Sequence, residues 1–129
     1  MPYLQVDLPR AYSADVKRAF AKRLIRLYAQ TMQTMEKIPS VALRELGPEN
    51  LFRLNGPELS SPIVVMCDIR RGRATDQREA LAKQIVAECA STFGVASDDV
   101  VVEFTQHTPD EMFRYGAFAP EWDAAESEG

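Results

Sequence analysis

The sequence predicts an α+β domain: one four-stranded mixed sheet with two helices on one face. Three observations predict it. Residues 3–8 alternate apolar and polar, with Leu4, Val6 and Leu8 on one side, which is strand periodicity. Two longer stretches, 14–35 and 75–93, each carry one apolar stripe at helical spacing. Finally, the order strand–helix–strand occurs twice at a constant offset of 61 residues. That offset sets Phe20-Ala21-Lys22 on Leu81-Ala82-Lys83, Leu4 on Val65, Val6 on Cys67, Val41 on Val102 and Leu43 on Phe104. A duplicated β-α-β unit, each crossover right-handed, builds such a sheet. Its second face would be bare and apolar, and copies of the chain would cover it.

The elements follow in order. Pro9-Arg10 ends the first strand, and Ser13 can cap the first helix. That helix carries Val16, Phe20, Leu24, Leu27, Thr31 and Met35 on its stripe, and Ile38-Pro39 stops it. Residues 41–46 read as a second strand. The next stretch, 47–62, is turn-rich, with Asn55-Gly56-Pro57 as a tight turn. Ile63-Val64-Val65-Met66-Cys67 is a continuous apolar run, suited to a central strand. Thr75 can cap the second helix, whose stripe is Leu81, Ile85, Cys89 and Phe93, and Gly94 ends it. Residues 100–104 make the fourth main strand. Pro109 opens a single helical turn, and residues 115–118 make a short terminal strand. The chain therefore divides into one domain over 1–120, with repeats at about 2–47 and 62–105 plus a C-terminal arm. The tail 121–129 is acidic and small, a composition that predicts disorder.

Composition narrows the function. The 129 residues carry a net charge of −4 and a pI near 5.0, which argues against a nucleic-acid binder. No apolar run is long enough to span a membrane, and no basic-then-apolar leader opens the chain. Cys67 and Cys89 sit inside apolar patterns and read as buried free thiols of a reducing compartment, so a cytoplasmic location is expected. With a single histidine, His107, and no paired Cys motif, no metal or other cofactor is expected. His107 falls in a polar stretch and reads as solvated.

Two features carry chemistry. Pro2 follows the initiator methionine directly. Removal of Met1 would leave a secondary amine at the chain terminus, both base and nucleophile. An α-amino group titrates near 7.7–8.0, and nearby cations lower that value toward the working range of a base. Arg70 and Arg73 flank Arg71-Gly72 just after the third main strand, a turn able to aim two guanidinium forks at one carboxylate.

Pro2, Arg70-x-Gly72-Arg73 with the helix behind it, and Met112-x-x-Tyr115-Gly116 with Phe118 and Pro120 together resemble the tautomerase superfamily. Within it, the chain is most similar to the cis-3-chloroacrylic acid dehalogenase group, over roughly residues 2–118. The resemblance implies a trimer with three active sites, each holding Pro2 beside the two arginines. Three positions depart from that group's pattern. Tyr28 stands where the group has a histidine, Glu103 where it has a tyrosine, and Arg114 where it has the glutamate that activates water. Arg114 cannot accept a proton, so efficient hydrolytic dehalogenation is not expected. Tyr28 is either a hydrogen-bond donor in the pocket or an amphipathic helix residue. Glu103 reads as an outward strand residue, with water activation as the alternative. Arg114 either adds a third cation or pairs with the acidic tail. The expected function is keto–enol tautomerisation of a small 2-oxo acid with Pro2 as base. The alternatives are a hydratase, dehalogenase or decarboxylase with Pro2 as acid, and a trimeric binding protein without turnover.

Overall fold

A computed structural model describes residues 2–128. Met1 and Gly129, and with them the expected removal of Met1, lie outside the described residues. The main sheet contains β1 (Tyr3–Leu8), β2 (Ser40–Glu45), β5 (Ile63–Arg70) and β6 (Val100–His107), in the order β2-β1-β5-β6. β1 runs parallel to β2 and β5 parallel to β6, whereas β1 and β5 meet antiparallel. Each parallel pair is joined by a crossover helix: α1 (Ala14–Thr31) in the first unit and α2 (Thr75–Phe93) in the second. The expected duplication and mixed sheet are therefore present.

Alternation decides which face the helices cover. Leu4, Val6 and Leu8 of β1 and Ile63, Val65, Cys67 and Ile69 of β5 are buried against both helices. Phe20 and Leu24 of α1 and Leu81, Ile85 and Cys89 of α2 come from the predicted stripes and are fully buried. The rings of Phe20 and Phe93 lie 4.7 Å apart and tie the two helices together. The Ser13 hydroxyl accepts the Val16 amide at 3.2 Å, as expected of an N-cap. Ala74 occupies the corresponding place before α2, and Thr75 falls inside the helix. Gly94, at φ 67°, closes α2 in the left-handed conformation that only glycine adopts without strain.

Helix α1 stops at Thr31, one turn short of the predicted end. Gln33 turns left-handed at φ 52°, and the Arg73 guanidinium takes the Met32 carbonyl with Nε and Nη2 at 3.1 and 3.0 Å. A cation on the last carbonyls also matches the negative end of the helix dipole. Asn55-Gly56-Pro57 forms the expected turn, between β3 (Arg53–Asn55) and β4 (Glu58–Ser60). Residues 109–111 form the predicted single turn, after which β7 (Phe113–Arg114) and β8 (Ala117–Phe118) pair as a small hairpin.

The far face of the sheet differs from expectation: it is mixed, not apolar. Val64, Met66 and Val101 share it with two polar clusters. Arg44 donates to both oxygens of Asp7 at 2.6 and 3.0 Å. Asp68 accepts from Thr105 at 2.5 Å and bonds the His107 ring. His107 is thus paired, where sequence predicted a solvated residue. The Asp68 hydrogen bond raises its pKa, and Glu111, 3.7 Å from Nδ1, adds to the effect. A raised histidine value stabilises the fold fully below the ordinary value of about 6.5, and that stability is lost as pH rises through the folded value. For so exposed a pair the gain is below about 1 kcal/mol. His107→Gln should therefore lower Tm most below about pH 6.5, the difference shrinking at higher pH. A pH-independent difference would contradict this.

Candidate active site

The site lies where the start of β1 meets the end of β5. Tyr3 pairs with Asp68 across the antiparallel ladder, so the chain end at Pro2 lies on the side of the sheet where β5 runs out through Ile69 and Arg70. Pro2 is buried, and its carbonyl accepts the Ser40 amide at 3.0 Å, which fixes the residue at the mouth of the β1–β2 pair.

Arg70 is the last residue of β5 and is only 2% exposed. Its Nη2 donates to both carboxylate oxygens of Glu126, at 2.7 and 2.6 Å, and its Nη1 donates to the Pro120 carbonyl at 2.7 Å. The chain then turns through Gly72 at φ 123°, a conformation available to glycine alone, and delivers Arg73. Beyond its bonds to Met32, Arg73 lies 4.6 Å from the centroid of the Trp122 ring, a cation–π contact. Burial pulls its guanidinium down to about 10, leaving it cationic at neutral pH.

Tyr28 projects from α1 into the same region and is fully buried. Burial raises its phenol well above the ordinary value, against the opposing effect of Arg73, so it is a neutral donor. Its hydroxyl and the Nε of Arg70 are both buried without a hydrogen-bond partner among the described residues. Arg114 lies within electrostatic reach of Arg70, Glu126 and Tyr28; burial, then Arg70, lowers its pKa. Burial alone would raise the Glu126 carboxyl, but the hydrogen bonds from Arg70 and Thr34 outweigh it and hold the group below the ordinary carboxylate value. A cavity of about 430 Å³ opens beside this cluster, lined by Met35, Ile38, Arg114, Phe118, Pro120 and Glu126. Lys37, Arg114 and Glu126 bring charge to a lining that is otherwise mostly apolar, and its volume is in the range of small-molecule sites.

The structure thus gathers Tyr28, Arg70, Arg73 and Arg114 near one another, with Pro2 at the adjoining strand end. Glu103 is not among them. It pairs in register with Met66 and is exposed on the sheet face opposite the helices, in keeping with an outward strand residue. Arg73 is nearby, but its Nε and Nη2 donate to the Met32 carbonyl and its Nη1 to the Arg70 carbonyl, so the two-fork clamp expected from the Arg70–Arg73 spacing is not formed.

The tail is the larger correction. The composition of residues 121–129 predicts disorder, yet residues 124–128 form a 3-10 turn and the segment returns to the arginines. Opposite charge explains it: Glu121 accepts from Arg71 at 2.6 Å and Glu126 from Arg70. Sequence reasoning therefore missed Glu126, Trp122 and Thr34. The available signal was a tail with three glutamates and the sole tryptophan, placed after a loop of three arginines.

No protein-family model matches the chain, and no curated protein matches it. Solved structures do. A crystal structure described as N1, a member of the cis-3-chloroacrylic acid dehalogenase family, is 24% identical, with 98% of this chain and 89% of that one covered, at a TM-score of 0.84. A fused 4-OT, described as a wild-type asymmetric trimer, is 23% identical over 92% and 96% of the two chains, at 0.81. FG41 malonate semialdehyde decarboxylase inhibited by 3-bromopropiolate is 19% identical over 89% of each, at 0.74. At these identities the likeness establishes the fold: the chain has the tautomerase fold.

Proposed function

We propose that the chain is a tautomerase-superfamily enzyme in which the Pro2 amine, freed by removal of Met1, carries a proton in keto–enol tautomerisation of a small 2-oxo acid. The observation that carries this reading is the burial of Pro2 at the start of β1, beside the strand end that presents the buried Arg70.

Arg70 holds the substrate carboxylate, and Arg73 adds positive charge behind it. The Pro2 amine takes the proton of the enol hydroxyl and returns one to the adjacent carbon. Negative charge grows on oxygen as the hydroxyl proton leaves, and the fixed guanidinium groups stabilise it. The neutral Tyr28 hydroxyl, buried and without a partner among the described residues, supplies a further donor for that oxygen. Addition of water fits less well. It needs a base to activate the water, and Glu103, the carboxylate considered for that part, is exposed on the sheet face opposite the helices. Arg114 cannot take that part. A homotrimer belongs to this reading, supported by the trimers among proteins of the same fold. One such protein, Pt0534, was crystallised after inactivation by 2-oxo-3-pentynoate, an electrophilic 2-oxo acid that would suit this site as a covalent label.

The test is ketonisation of phenylenolpyruvate, followed by ultraviolet absorbance. Turnover that depends on Pro2 is expected. Turnover no faster than in buffer would overturn the reading.

A further inference from the structure

The contacts of the C-terminal segment fall on the turn after β5 and on the residues that follow α1. Pro120 bonds Arg70, Glu121 bonds Arg71, and Trp122 covers Arg73. The same indole lies against Gly72, where a Cβ would sit 3.5 Å from it, and its N–H donates to the Gln33 carbonyl at 3.1 Å. Glu126 completes the set on Arg70 and Thr34. Two properties make this attachment weak for its extent. First, none of residues 120–128 is buried, so little apolar surface holds the segment down, as is typical of regions that open locally. Second, the segment leaves the Tyr28 hydroxyl and Arg70 Nε buried and unmet among the described residues, which is costly for polar groups. Docked in this way, the segment satisfies only part of the site.

We propose that residues 120–128 form a displaceable strap, with Glu126 standing on Arg70 in the place of a ligand carboxylate, and that a small 2-oxo acid binds by lifting it. The inference rests on the reading of Arg70 as the carboxylate-holding residue. The ligand class follows from the unmet donors. A carboxylate replaces Glu126 on the guanidinium, and a neighbouring oxo or enol oxygen offers the additional acceptor that Tyr28 and Arg70 Nε lack. A strap of this kind makes the site self-inhibited: every substrate molecule competes with a carboxylate tethered at high effective concentration.

Trp122 is the sole tryptophan, so its emission reports the strap directly. The full-length chain is titrated with pyruvate, following both emission and calorimetric heat, beside Glu126→Gln. Pyruvate should shift Trp122 emission to the red and saturate, as the indole leaves Arg73 for water. Glu126→Gln should bind pyruvate at least fivefold more tightly by calorimetry and lower KM for phenylenolpyruvate. Binding without an emission change, at equal or weaker affinity in Glu126→Gln, would overturn the strap and leave the tautomerase reading standing. A fall in kcat for Glu126→Gln would also overturn it, making Glu126 a working part of the site. Absence of pyruvate binding to either form would overturn the strap and the role of Arg70 together.

Discussion

Replacing Pro2 by alanine is expected to slow phenylenolpyruvate ketonisation by about 10²-fold or more, the usual contribution of a positioned acid–base group. Alanine still permits removal of Met1, so the chain would still begin with an amine. What changes is its kind and placement. The pyrrolidine ring fixes the backbone torsion at the residue, so the nitrogen lone pair has one direction within a buried site. A primary amine on alanine is freer to turn away. The substitution should leave the fold intact, because the contact that anchors residue 2 is its carbonyl on the Ser40 amide, which alanine retains. Unfolding in urea should therefore change by less than about 1 kcal/mol, the scale of a typical single substitution. Equal rates in the two proteins would remove Pro2 from the chemistry.

Arg70→Lys is expected to lower kcat/KM by about 10²–10³-fold, the range found when one donor to a developing oxyanion is removed. Lysine preserves charge but presents a single ammonium in place of a planar fork. At this position the fork matters. Arg70 is nearly inaccessible, so its guanidinium cannot be replaced by water, and it already directs one nitrogen at the Pro120 carbonyl and another at a carboxylate. A lysine reaching one of these groups loses the other. The loss should appear in both KM and kcat, since in the proposed reaction the residue holds the ground-state carboxylate and the charge that forms next to it. Emission from Trp122 should shift as well, because Arg70 anchors the strap. A change below about threefold in kcat/KM would show that the carboxylate binds elsewhere; even a factor of ten corresponds to only about 1.4 kcal/mol.

Much of this arrangement was legible in the sequence, for definite reasons. The duplication could be read because strand and helix periods recur together at one offset, so the equivalence of Leu4 and Val65 in the two repeats also predicted that both helices cover one face. Arg70 and Pro2 stood out in the sequence because each combines an unusual chemical capacity with a position at a strand end, and both are buried there. The far face was misjudged because alternation tells which residues point outward but not whom they meet. Asp7 finds Arg44 and Asp68 finds His107 only after strands β1, β2, β5 and β6 are aligned. The partners of Arg73 were hidden for a similar reason: the Met32 carbonyl is exposed by a helix end that no side chain announces. The tail was the hardest to read. Its composition is that of a disordered segment, and only the return of the chain past β8 brings Glu126 to Arg70.

The central claim is that Pro2 presents a free, reactive amine beside Arg70. Peptide mapping by mass spectrometry after exposure to 2-oxo-3-pentynoate tests it most directly. The account predicts a first peptide that begins at Pro2 and carries the label on its terminal nitrogen, with labelling slowed by excess pyruvate. A first peptide that retains Met1, or a label found only on Cys67 or Cys89, would contradict it.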